Sequence, residues 1–357
     1  MKDPFEKMRE IDRDNMIDLL MNFHEQLVEG VRIGESFSAD SLKGFEPESI
    51  VLCGMGGSAI GGDFLRCYLA DELTKPFLVI RDYDLPAFVN SESLVIASSY
   101  SGNTEETISA FNEAFERKAK IIGISTGGML ERLCAERNIP FLRIPSGLPP
   151  RSALGYSFAP LLVVLNSLGL VKDKRLDIKK AVEFLRAQAK EFAPDSPQDK
   201  NLAKRIALEL HGHLPIIYTT TRHFEVVGIR FRGQINENAK MLAYSAVLPE
   251  NNHNELVGWK ELYNLAPHLK PVIILDSFDH PRNIFRAEFI AGVMTELGVK
   301  PIFIHTKGEN LLTRMLSVIQ LGDFVSYYLA ILNGIDPKPV QIIDRLKKAL
   351  AEFRGSK

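Results

Sequence analysis

The chain has 357 residues, more than one ordinary hydrophobic core holds, and this length predicts two domains. Hydrophobic residues make up 45% and charged residues 25%, the mix of a globular protein rather than a disordered or fibrous one. The formal net charge is −2 with acids and bases interspersed, which argues against the basic face of a nucleic-acid binder but leaves room for a small anion held at a local site.

Cys53, Cys67 and Cys134 are odd in number and show no C-x-x-C spacing, so neither a disulfide framework nor a zinc site is expected. The opening "MKDPFEKMREIDRDNM" is charged and lacks the apolar run of a signal peptide. No stretch reaches the ~18 uncharged apolar residues of a membrane span. The cytoplasm is the expected compartment.

Met16, Leu19, Leu20, Phe23 and Leu27 recur at helical spacing within residues 4–33. "SIVLCGM" is a short apolar run ending in glycine and reads as a buried strand, with "GSAIGGDFLRCYLADEL" as the helix after it. "PFLVI" and "SLVIASS" are further strands. "NTEETISAFNEAFERKA" is a helix with acids in its first turn, where they suit the helix dipole. "AKIIGIST" and "IPFLRIP" are strands. A helix is expected from near Pro150 through "LPPRSALGYSFAPLLVVLNSLGL", and a charged amphipathic one over 176–193. "APDSPQDKN", residues 193–201, is the linker candidate. Beyond it "HLPIIYTT", "AVLPE", "LKPVIILDS" and "VKPIFIHT" read as strands, with helices near 223–242, 282–298 and 309–333 and a closing amphipathic helix in "DPKPVQIIDRLKKALAEF". Strands alternating with helices predict a parallel, doubly wound α/β sheet in each half, divided into domains 1–195 and 196–357.

Two strand-to-helix turns carry the chemistry. At Gly54-Met55-Gly56-Gly57-Ser58 the glycines let backbone N–H groups approach a ligand, and the following helix aims its positive end at the turn. "GMGGSA" also fits a dinucleotide-binding turn, with Asp82 after the next strand, but a lone match of that kind is weak. The second turn, Ser99-Tyr100-Ser101-Gly102-Asn103-Thr104, sets the hydroxyls of Ser99, Ser101 and Thr104 around one helix N-terminus. Plain N-capping needs one hydroxyl. Several of them, with the amides of Gly56 and Gly57 and the Ser58 hydroxyl, suit a terminal phosphate without a metal or lysine.

"GMGGSAIGGD" with "SYSGNTEET" resembles the sugar isomerase (SIS) domain, whose turns bind phosphosugars. "PRSALGY", "QINENAK", "ENNHNE" and "GIDPKPVQIIDRLK" resemble, over nearly the whole chain, the bifunctional phosphoglucose/phosphomannose isomerase family. The resemblance implies two SIS-type domains, each a three-layer α/β/α sandwich. It also implies interconversion of glucose 6-phosphate and mannose 6-phosphate with fructose 6-phosphate through a cis-enediolate. That chemistry needs a base at C2, donors for the enediolate and a ring-opening acid, and no redox cofactor or metal.

Taken by itself, Glu237 in "GQINENAKM" is an ordinary helix glutamate. Asn236, Asn238 and Ala239 around it are uncharged and Lys240 is the nearest cation in sequence. The resemblance makes it the catalytic base, a role that partial burial would favour. His253, sixteen residues later, lies in a polar turn where an ordered hydrogen-bond network is expected. The resemblance assigns it ring opening, contributed across a homodimer interface. Arg151 opens a helix, an unfavourable place for a cation. It is either a surface arginine or, by the resemblance, the group that holds the enediolate. Lys347 or Lys348 supplies the ring-opening lysine, with Lys347 matching the family's I-x-x-L-K ending. Gln341, seven residues before Lys348, leaves the alternative register open, with Gln341 then a substrate-binding residue. Some family members carry a threonine seven residues before the lysine. Val340 or Gln341 here is a departure that bears on the mannose activity. The alternatives are a non-catalytic phosphosugar-binding regulator and a nicotinamide dehydrogenase. Neither explains both the second hydroxyl turn and the catalytic set.

Overall fold

The computed structural model describes residues 4–38, 40–262 and 264–353, so the ends of the expected domains, at residues 1 and 357, lie outside the described residues. The opening helical run is three helices, α1 (Met8–Ile11), α2 (Met16–Met21) and α3 (Phe23–Ser36). The Asp12 carboxylate breaks the run by accepting from the N–H groups of Met16 (2.7 Å) and Ile17 (3.0 Å) at the free start of α2.

The first sheet follows, as β1 (Ser49–Cys53), α4 (Gly56–Tyr68), β2 (Phe77–Ile80), β3 (Ser93–Ser98), α5 (Glu105–Glu116), β4 (Lys120–Ser125), α6 (Gly128–Glu136) and β5 (Phe141–Arg143). Its order is β2-β1-β3-β4-β5, every pair parallel. Every residue of β1 and β3 is buried, which is why both read as unbroken apolar runs. The short α6, which buries only Leu130 and Cys134, has too little periodicity to read from sequence.

Next come α7 (Leu154–Ser167), α8 (Arg175–Glu191) and α9 (Leu202–Leu210). Residues 150–152 form a separate 3₁₀ turn before α7. The linker candidate is strapped down: Lys204 Nζ donates to the carbonyls of Pro194 (2.7 Å) and Ser196 (2.9 Å). The second sheet comprises β6 (Leu214–Thr220), α10 (Glu225–Gln234), β7 (Tyr244–Leu248), α11 (Glu255–Trp259), β8 (Leu269–Leu275), α12 (Pro281–Glu296) and β9 (Ile302–His305), followed by α13 (Leu311–Leu332) and α14 (Gln341–Glu352). Its order is β7-β6-β8-β9, again all parallel.

Both sheets are covered on both faces. One apolar cluster runs from Ile50, Leu52 and Ile96 through α7 and α13 to Ile217 and Ile274, so the two sheets share a core. Val51, Val95 and Phe111 fill the outer face of the first sheet, and Tyr218, Ile273 and Ile290 that of the second. Among the described residues only α13 is long and apolar enough to cross a membrane, and 94% of its apolar window is buried inside the protein. The opposite holds for α14, whose described side chains are all exposed.

Candidate active site

In each sheet the strand order reverses beside the first strand, between β1 and β3 and between β6 and β8. Such a reversal opens a crevice at the carboxyl edge. The two hydroxyl-bearing turns follow β1 and β3, so they flank the first crevice. The second crevice is filled from within. Asp279 accepts from Thr220 Oγ1 (2.6 Å), while Asp276 accepts from Thr306 Oγ1 (2.6 Å) and Arg314 Nε (2.8 Å).

At the first crevice Ser58 Oγ accepts from the Tyr100 N–H (2.9 Å), joining the two turns directly. Ser99 Oγ and Thr104 Oγ1 are 2.8 Å apart, and the exposed Ser101 Oγ accepts from the Asn103 N–H (3.2 Å). The Ser58 and Ser101 hydroxyls therefore act as acceptors within the protein and keep their own hydrogens to donate. Gly102 holds the bend at φ +70°, and a Cβ there would lie 1.8 Å from the Gly127 carbonyl oxygen. Gly102→Ala is thus expected to destabilise the protein by more than about 1 kcal/mol and to weaken inhibition by inorganic phosphate. Urea melts and inhibition constants test this, and an alanine variant with wild-type values of both would count against the turn geometry.

The first turn touches the candidate catalytic residues. A Cβ on Gly57 would lie 2.5 Å from the Pro150 carbonyl oxygen, so only glycine lets that turn and the 150–152 turn pack together. Tyr100 reinforces this, since its hydroxyl donates to the Pro145 carbonyl (3.0 Å) and accepts from the Leu148 N–H (2.9 Å).

Arg151 is 4% exposed, so the surface-arginine alternative is ruled out. Its Nε donates to Asn238 Oδ1 (2.7 Å) and its Nη2 to the carbonyls of Pro337 (2.9 Å) and Lys338 (2.8 Å). Its Nη1 is left facing Glu237 Oε2 at 3.6 Å. Burial pulls the guanidinium below its usual range, Glu237 pushes back and Arg230 adds to the lowering. Arginine nevertheless stays charged in proteins.

Glu237 sits where α10 widens into a π-type turn, Ile235–Ala239, a local irregularity common at functional sites. The turn is fixed from several sides. Asn236 Oδ1 accepts from the Ala243 N–H (2.9 Å) and Asn238 Nδ2 donates to Ser326 Oγ (2.9 Å). Lys240 ends it at φ 53°, a left-handed conformation that costs a side-chain-bearing residue on the order of 1–3 kcal/mol. Beneath lies a buried ion pair. Arg230 Nη2 donates to Asp323 Oδ2 (2.9 Å) and to the Arg151 carbonyl (3.1 Å), and Gln234 Nε2 donates to Asp323 Oδ1 (2.7 Å).

Arg151 and Glu237, 86 positions apart in sequence, therefore meet beside the hydroxyl turns. His253, Gln341, Lys347 and Lys348 do not join them. All four are exposed, and among the described residues no hydrogen bond or ion pair links any of them to Arg151 or Glu237. Beside His253 the Asn254 Nδ2 donates to Glu250 Oε1 (3.4 Å) and Asn254 Oδ1 accepts from the Glu255 N–H (2.6 Å), while both polar side-chain atoms of buried Asn251 lack a partner among the described residues. Tyr100, Arg230, Asn238, Lys240 and Asp323 also support the site, beyond the residues the motifs indicate for it. Only Tyr100, Asn238 and Lys240 carried a signal, by lying inside the motifs.

Two all-parallel, doubly covered sheets with hydroxyl turns at one crevice define the class. The SIS domain family matches residues 45–135, and the bacterial phospho-glucose isomerase C-terminal SIS domain family matches residues 199–350. A hypothetical protein of Thermus thermophilus shares the fold at a TM-score of 0.73 and 16% identity, over 95% of this chain and 90% of that one. The bifunctional phosphoglucose/phosphomannose isomerase of Caldicellulosiruptor bescii is 44% identical over 95% of this chain and 100% of that relative. That of Aquifex aeolicus is 39% identical over 87% of this chain and 93% of that relative. The chain belongs to the bifunctional phosphoglucose/phosphomannose isomerase family and is an isomerase.

Proposed function

We propose that the protein interconverts glucose 6-phosphate and mannose 6-phosphate with fructose 6-phosphate through a cis-enediolate, without a metal. The observation that carries this reading is the Arg151–Glu237 pair, 3.6 Å apart, beside turns rich in hydroxyl donors. The phosphate binds Ser58, Ser99, Ser101 and Thr104 with the amides of Gly56 and Gly57. Glu237 takes the proton from C2 of the opened aldose and returns it to C1. The Nη1 side of Arg151 faces the charge that develops on the enediolate oxygens, and its other donors stay on the protein, so little reorganises during reaction.

Ring opening falls to His253 and to a lysine of α14, Lys347 in the preferred register or Lys348 with Gln341 contacting substrate. A homodimer with His253 supplied by the partner fits this reading. Ile342, Leu346 and Leu350 form a one-sided stripe on α14, 68%, 59% and 46% exposed, which a second chain would cover. We place the domain boundary between residues 195 and 196, the second domain close to the span of the matched C-terminal family. A cytoplasmic site fits three free, buried cysteines whose thiols burial pushes up to about 12.

The test is an assay of purified, EDTA-treated protein with fructose 6-phosphate, following both aldoses. Formation of glucose 6-phosphate and mannose 6-phosphate is expected. Activity restored only by added divalent cation would overturn the metal-free mechanism, and release of one aldose alone would overturn the dual specificity.

A further inference from the structure

We propose that Lys240 is a positioning residue for the isomerisation, tying the Glu237 turn to the segment that launches α14 and so setting where that helix's lysines stand relative to the base. The proposal rests on the reading of Glu237 as base and of α14 as the source of the ring-opening lysine.

The ammonium of Lys240 lies 3.3 Å from the carbonyl oxygen of Asn238, in its own turn, 3.0 Å from that of Asp336 and 2.9 Å from that of Pro337. The Pro337 carbonyl also accepts from Arg151, so two cations grip one carbonyl of the segment between α13 and α14. Pro337 and Pro339 stiffen that segment by fixing φ. Every described side chain of α14 is exposed, so within the chain the grip on residues 336–338 is what aims the helix. The backbone of Lys240 is left-handed, where glycine or asparagine is the usual helix terminator. A lysine tolerated there, with its ammonium fully engaged, points to a use for the side chain.

The charged groups facing Lys240 are Arg151 of the 150–152 turn, Glu237 of its own turn and Asp336 of the segment. Burial, then Arg151, pushes the ammonium down to about 8, against Asp336 and Glu237. Below that pH three N–H donors serve the three carbonyls. Above it a lone pair is turned on them and the clamp loosens.

Lys240→Met, Lys240→Gly and Lys240→Arg in the full chain test this. The methionine and glycine variants are expected to lower kcat by about 10- to 100-fold, the scale of a small misplacement, with inhibition by inorganic phosphate unchanged. The wild-type alkaline fall in kcat near pH 8 should vanish in both and move upward in the arginine variant, which should recover most of the rate. Glycine suits the left-handed backbone, so its variant separates lost positioning from lost folding. Wild-type kcat in the glycine variant, or an unmoved pH profile, would overturn the role of Lys240. Full activity of Glu237→Gln would instead overturn the site reading on which it rests.

Discussion

Glu237→Gln is expected to lower kcat on the order of 10²–10⁴-fold, the contribution of a positioned general base, while leaving phosphosugar binding intact. Glutamine keeps the shape and can still face Arg151 Nη1, so the ground-state site survives. What is lost is the acceptor for the C2 proton. A coupled assay for kcat, titration calorimetry with fructose 6-phosphate, and solvent-deuterium exchange at C2 together check it. Exchange should disappear along with turnover. Interconversion of sugar anomers, which needs the ring-opening groups alone, should persist. A glutamine variant that exchanges the C2 proton at the wild-type rate would remove Glu237 from the mechanism.

The largest effect on stability is expected at Asp323. Its side chain is 6% exposed and that of Arg230 is 4% exposed, so Asp323→Ala strands a guanidinium in the core. Breaking one side of such a pair costs about 3–5 kcal/mol, read from the midpoint and slope of urea unfolding. Burial raises the Asp323 carboxyl pKa while Arg230 and Gln234 lower it. The double variant Arg230→Met with Asp323→Leu should recover most of the stability, because matched apolar groups need no charge partner. It should not recover full activity, because the Arg151 carbonyl then loses the donor that steadies it. A single variant as stable as the wild type would show that the pair contributes nothing.

The parallel α/β plan was legible because β1, β3 and β8 are apolar runs of buried strands bounded by glycine, serine or aspartate turns. The hydroxyl turns were legible because each falls where an apolar strand run gives way to glycine, serine and threonine, although Gly127 and the 150–152 turn, distant in sequence, pack against them and the Tyr100 N–H joins one to the other. The short helix α6 was not legible, having only Leu130 and Cys134 buried from which to build a period, whereas α9 does bury Ala203, Ile206, Ala207 and Leu210 on one side and is short rather than patternless. Arg151 carried a contradictory local signal, a cation at the start of a helix. Its acceptors, the Asn238 side chain and the carbonyls of Pro337 and Lys338, lie 87 to 187 positions away.

The sequence by itself determined the alternation of strands and helices and the two glycine- and hydroxyl-bearing bends, because each follows from local backbone freedom and side-chain chemistry, while Glu237, His253 and Arg151 stood out only through the family motifs around them. The tertiary structure decided that Gly57 packs on the 150–152 turn, that Arg151 turns inward to Glu237 and that carboxylates fill the second crevice. Those outcomes belong to burial and charge pairing between segments far apart in the chain, and such forces exist only once the two sheets share a core.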